Sequence, residues 1–176
     1  MPTDLLAYRS FTFKAGGAHI TRAPALAVWD VVTGIGGDNR YYAMNALWTV
    51  REWMDAAVGG PGLRRGRPEH DELRPGDRID SWEVLVAQPP ELFALIFKMK
   101  APGDGVLEFA IRSKPRVTRL TVTAFWEPDG FAGTLYWRAM QPAHILLFRR
   151  LTAEICKRAE ARQAAASTQP MLKRTA

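Results

Sequence analysis

From Asp77 onward the hydrophobic residues recur every second position, and this change of period constrains the fold most. Five stretches carry it: DRIDSWEVLVAQ (77–88), ELFALIFKMK (91–100), GVLEFAIRS (105–113), VTRLTVTAFWEP (117–128) and GTLYWRAM (133–140). Turn residues separate them at Pro89-Pro90, Pro102-Gly103-Asp104-Gly105, Lys114-Pro115 and Pro128-Asp129-Gly130. Strands joined by such short turns pair as an antiparallel meander. A sheet of this kind needs cover on one face. The segment that follows supplies it, a helix predicted to open at Pro142 and run to Ala165, with Phe148, Leu151, Ile155 and Ala159 as its seam.

Ahead of the meander the spacing predicts a strand over Tyr8–Ala15, closed by Gly16-Gly17. Two shorter helices follow. The first begins near Pro24 with Ala27, Val28, Val31 and Val32 on one face; the second, NALWTVREWMDAAV (45–58), places Leu47, Val50, Met54 and Val58 on one stripe. The expected fold class is therefore α+β: a curved antiparallel sheet wrapped around a long C-terminal helix, with two shorter helices after the first strand. One domain is expected over 1–165 and a flexible basic tail over 166–176.

Composition narrows the function classes. Apolar residues make up 47% and charged residues 24%, and no apolar run is long enough to span a bilayer, so a transmembrane segment is not expected. The start, MPTDLLAYRS, lacks the pattern of a secretory signal, which points to a cytoplasmic protein. Cys156 is the lone cysteine, which excludes an internal disulfide and reads as an inert packed thiol. The net charge of +6 is concentrated near the C-terminus, in Lys157, Arg158, Arg162, Lys173 and Arg174 against Glu160, so no nucleic-acid partner is expected. His19, His70 and His144 are scattered and show no ligand spacing, so neither a metal nor a cofactor is expected.

The stretch GGPGLRRGR (59–67) looks like a phosphate loop and fails as one. Such a loop follows a strand and opens a helix, so that backbone amides face phosphate. This one follows a predicted helix and leads toward strands. Its glycines suit a helix C-cap and a turn. Arg64, Arg65 and Arg67 remain candidates to rim a pocket mouth and hold a carboxylate or phosphate group, against solvated arginines or partners of Asp77 and Asp80.

Several segments together resemble the domain-of-unknown-function family 2867 (DUF2867), within the START-like (SRPBCC) superfamily of helix-grip, polyketide cyclase-like proteins. They are Gly36-Gly37, Leu47-Trp48 with Arg51, GGPGLRRGR, LRPGDRIDSW, KMKAPGDGVLEF, FWEPDGFAGTLYW and QPAHILLF, in order from about Gly36 to Ile155. The resemblance implies the helix-grip fold and a pocket between sheet and terminal helix. It implies no catalytic residues. The chain departs from the family pattern at Glu52, Lys98 and Ser81, where Gly, Glu and Phe are usual. The family also occurs fused to nucleotide-sugar-epimerase-like domains, and this chain has no strand-GxGxxG-helix of that kind.

In such a pocket Trp82, Trp137 and Phe148 are the expected walls. The candidate acid/base groups are Glu108, Asp80, Asp77, Tyr136 and His144. Alternation puts Glu108 with Val106 and Ala110, opposite Leu107, Phe109 and Ile111; the larger face is expected inward, leaving Glu108 solvated. Asp80 and Trp82 are expected on one strand face. The leading expectation is a non-catalytic protein holding a small hydrophobic or amphipathic molecule, such as a lipid. A cyclase- or hydratase-type enzyme is the second reading. The third is an interaction module for a dehydrogenase-like partner or a homodimer, with exposed Trp48 or Trp53 as its mark. A basic last helix resting on a membrane is a variant of the third, opposed by the need for that helix to cover the sheet.

Overall fold

A computed structural model describes residues 5–37, 66–68, 70, 72–98 and 100–172, and single positions 42, 49, 53, 56 and 59. Six strands form one antiparallel sheet: β1 (Phe13–Thr21), β2 (Arg78–Ile79), β3 (Trp82–Gln88), β4 (Leu92–Phe97), β5 (Gly103–Lys114) and β6 (Val117–Pro128). Their order is β1-β6-β5-β4-β3-β2, so β2 to β6 are a meander and β1 returns to pair with β6. Helix α1 (Ala25–Thr33) follows β1, and helix α2 (Gly130–Leu172) ends the described chain. The antiparallel sheet packed on a long C-terminal helix agrees with the sequence expectation.

Both faces of the sheet are covered. On the inner face Phe93, Leu95, Leu107, Phe109, Ile111, Leu120 and Val122 meet Val28, Val31 and Val32 of α1 and the seam of α2. That seam contains Leu147, Phe148, Leu151, Ile155 and Ala159, all buried. On the outer face Val86, Leu92, Ala94, Val106 and Phe125 are capped by Tyr8 from a short 3-10 helix, Ala7–Ser10. Coverage on both sides explains why LFALIF of β4, expected to alternate, is apolar at every position and buried on both faces.

The contact between α2 and β1 sets the spacing of the layers. A Cβ added at Gly17 would lie 2.8 Å from the backbone of Phe148 and Arg149. The helix main chain therefore rests directly on the strand where β1 has no side chain. Phe13 stacks on Trp137 at 6.0 Å at one end of the contact, and Thr21 donates to Glu160 at 2.6 Å at the other.

The structure corrects several expectations. GTLYWRAM is helical, not a strand, and α2 opens at Gly130, so Pro142 lies inside it. Its β-forming residues fit an alternation, but Trp137, His144, Phe148 and Leu151 recur at helical spacing and bury the inner face, and packing overrides propensity. Gly16-Gly17 lie within β1 rather than closing it, and Tyr8 belongs to the 3-10 helix. Residues 77–88 are two strands, because a turn at Asp80 (φ 53°) breaks the alternation; Asp80 and Trp82 do not share a strand face. Among the described residues one short helix follows β1; nearly all of the second expected helix, 45–58, lies outside them.

Gly17→Val would drive a side chain into the α2 backbone. Its expected effect is a loss of about 1–3 kcal/mol in stability, read as a lower urea midpoint at unchanged far-UV circular dichroism.

Candidate functional site

Where α2 faces the β4–β5 end remote from α1, the layers do not close. A cavity of about 70 Å³ remains, half open to solvent. That is several times the roughly 10–15 Å³ one water needs. The sheet contributes Trp82, Phe97, Gly105, Leu107, Ala124 and Trp126; α2 contributes Tyr136, Trp137, Met140, Ala143, His144, Leu147 and Phe148.

The rings form a continuous belt. Trp82 meets Phe97 edge-on at 5.4 Å, and Phe97 meets Trp126 at 6.3 Å. Trp126 stacks on Trp137 at 6.3 Å and tilts against Tyr136 at 5.4 Å. Trp137 continues to His144 at 4.9 Å, and His144 stacks on Phe148 at 5.6 Å. Gly105 makes room for the belt. It sits opposite Trp126 in the β5–β6 register, and a Cβ there would come within 3.1 Å of that indole and 3.4 Å of Phe97. The Trp126 indole N–H is buried and has no hydrogen-bond partner among the described residues.

The expected site residues separate into two groups. Trp82, Trp137, Phe148, Tyr136 and His144 all line the cavity. The others do not. Arg67 donates from Nη1 to the Ile35 carbonyl at 3.1 Å, and Arg64 and Arg65 lie outside the described residues. Gly59 has φ 75°, a left-handed backbone that favours glycine, and the Gly66 amide donates to Asp80 Oδ1 at 3.1 Å. Asp80 also accepts from the Gly37 amide at 3.2 Å, so its carboxylate organises turns. Asp77 accepts from the Arg74 amide at 2.6 Å and pairs with His70 at 3.3 Å. Lys98, a departure from the family pattern, pairs with Glu83 at 3.2 Å, away from the cavity. Phe97, Gly105, Trp126, Met140 and Leu147 were not legible as wall residues, because only the strand register brings Gly105 and Trp126 together.

Glu108 needs a correction. Leu107, Phe109 and Ile111 do face inward, but Glu108 is only 7% exposed rather than solvated. It lies on the outer face, beneath the 3-10 helix. Its Oε2 accepts from the Tyr8 hydroxyl at 2.5 Å and from Arg9 Nε at 2.7 Å. Burial, then the Glu108 hydrogen bond and charge, push the Tyr8 phenol well above its ordinary value. This cluster fastens the N-terminal segment to the sheet and has no access to the cavity.

A six-stranded antiparallel sheet packed on a long C-terminal helix, with a cavity between them, defines a helix-grip protein. The chain belongs to the family described as "Protein of unknown function (DUF2867)", whose model matches residues 15–151. Among solved structures it is similar to the Zhui aromatase/cyclase from a Streptomyces species, at 16% identity over 88% of this chain and 97% of that one, TM-score 0.55. It is also similar to a protein from Nitrosomonas europaea, at 12% identity over 86% and 97% of the two chains, TM-score 0.50. At these identities the likeness concerns the fold alone. No curated protein matches the chain.

Two outcomes are expected. Tyr8→Phe removes a buried hydrogen bond to a charged group, worth about 1.5–3 kcal/mol at neutral pH. Because the folded-state phenol titrates above the unfolded one, that stability is fully present below about pH 10 and declines as pH rises beyond it. The gap between the urea midpoints of the two proteins should therefore be constant up to about pH 9.5 and narrow progressively above about pH 10, where Tyr8 ionises in the unfolded chain. Cys156 is buried, and burial together with the Glu160 charge pushes its thiol up to about 12. A disulfide reagent at pH 8 should leave it unmodified in the folded protein and label it after unfolding.

Proposed function

We propose that this protein binds a small hydrophobic or amphipathic molecule between the sheet and α2, without catalysing a reaction. The observation that carries this reading is the belt of rings around a half-open cavity. Such walls favour a flat apolar body, because ring faces and edges offer large contact area at little entropic cost. The Trp126 N–H supplies a polar handle, since a ligand oxygen reaching it would satisfy a buried donor. A ligand with one acceptor on an otherwise apolar frame fits both features.

An enzymatic reading has one observation in its favour. Tyr136 and His144 both line the cavity, on a fold shared with an aromatase/cyclase. Against it, no carboxylate is among the described residues that line the cavity. If chemistry occurs, Tyr136→Phe and His144→Gln should abolish conversion of a bound ketone while leaving affinity within a few-fold. The interaction-module reading rests on Trp53, which is 63% exposed; Trp48 lies outside the described residues.

Native mass spectrometry of the purified protein, followed by tryptophan-fluorescence titration with the co-purified compound, tests the binding reading. Ala143→Phe fills the cavity from α2 and should weaken binding by at least about tenfold at an unchanged melting temperature. Trp126→Phe keeps the ring and removes the donor; it should weaken acceptor-bearing ligands about three- to tenfold and leave pure hydrocarbons unaffected. Wild-type affinity in Ala143→Phe would sink the proposal.

A further inference from the structure

Helix α2 has a second apolar face, on the side away from the cavity. Phe131 is 82% exposed, Leu135 57%, Ile145 48% and Leu146 44%, and Pro142 is exposed between them. Their spacing of three, four and seven residues places them on one side of the helix. Arg138 and Arg149 fall on the same side, and Arg150 flanks it; all three are exposed. No acidic residue occurs between Gly130 and Ala153. The acids at its ends are Asp129, just before the first turn, and Glu154, which is held by Arg158 at 2.9 Å.

We propose that this face docks on the surface of an anionic lipid bilayer, with α2 lying in the interfacial plane. An apolar stripe studded only with arginines is the pattern such a surface recognises: the hydrocarbon side chains enter the headgroup boundary while the guanidinium groups reach lipid phosphates. The objection that α2 is needed to cover the sheet does not hold, because the two tasks use opposite faces. A second copy of the chain is a poorer occupant. Pairing this face with itself would bring six arginines together with no acid from the stripe to oppose them. Phe131 and Leu135 alone would be unremarkable as scattered surface residues; it is their continuity with Ile145 and Leu146, and the single sign of charge, that select a membrane. The docking does not depend on the cavity being a ligand site.

Co-sedimentation of the full chain with vesicles tests this. Binding is expected to vesicles containing phosphatidylglycerol in phosphatidylcholine, and to fall at least about tenfold in phosphatidylcholine alone or when salt is raised from about 0.1 M to about 0.5 M. Leu135→Gln with Ile145→Gln, and separately Arg138→Ser with Arg149→Ser, should each reduce binding about tenfold or more while leaving the melting temperature and circular dichroism unchanged. Ala143→Phe should bind vesicles as the wild type does, which separates this surface from the cavity. Absence of vesicle binding by the wild type, or wild-type binding by either double variant, would overturn the proposal. So would a dimer in sedimentation velocity that the Leu135→Gln/Ile145→Gln variant dissociates, because it would assign the face to self-association.

Discussion

The close approach of the α2 main chain to β1 at Gly17 governs how the two layers meet. With no side chain in between, the helix settles on the β1–β6 side of the sheet, which is where its sheet contacts concentrate. The β4–β5 side must then be filled by other means. At one end α1 does so, with Trp29 edge-on to Phe93 at 5.9 Å and Phe93 against Phe109 at 6.1 Å. At the other end, around Phe97 and Gly105, no second helix is available among the described residues. Large rings bridge the gap there, Trp82 edge-on to Phe97 and Phe97 to Trp126, and they leave space between them. The cavity is thus a consequence of where the helix can touch down.

The same geometry separates the polar chemistry of the chain from that cavity. Among the described residues Glu108 is the most buried acid, yet the pleat of β5 turns it to the outer face, where Tyr8 and Arg9 close over it. Two donors on one carboxylate oxygen restrain the N-terminal segment. Asp80 and Asp77 are likewise occupied by backbone amides in the turn that begins the meander. The acidic groups Glu108, Asp80 and Asp77 are therefore structural, and the cavity is lined by rings that include the His144 imidazole, the Tyr136 phenol and the Trp126 indole.

Much of this was legible in the sequence, and the failures have physical causes. The period-two stretches from Glu91 to Pro128 became strands, and the seam Phe148, Leu151, Ile155 and Ala159 became the buried stripe of α2. Trp82, Trp137 and Phe148 reached one cavity because large rings in strands and on a helix seam have few other places to go. The stretch around Trp137 misled because its residues favour strands locally, whereas its register with His144 and Phe148 is a tertiary matter. Gly17 misled for a related reason. Glycine in a strand reads as a terminator unless a second backbone must come close, and nothing local announces that helix. The burial of Glu108 could not be anticipated while Tyr8 and Arg9 were read as part of a strand, since its partners are about a hundred residues away in the chain.

Helix α2 combines several tasks because it is far longer than the sheet requires. Its 43 residues extend about 65 Å, whereas a 12-residue strand spans about 40 Å. Within the overlap, side chains at helical spacing divide into an inward set and an outward set. The inward set closes the core through Leu151 and Ile155 and lines the cavity through Trp137 and His144. The outward set is released from packing and still carries Phe131, Leu135, Ile145 and Leu146. A helix selected only to cover a sheet would gain solubility from polar residues at those positions. Their presence beside arginines, with no acids between, makes this helix a surface as well as a roof.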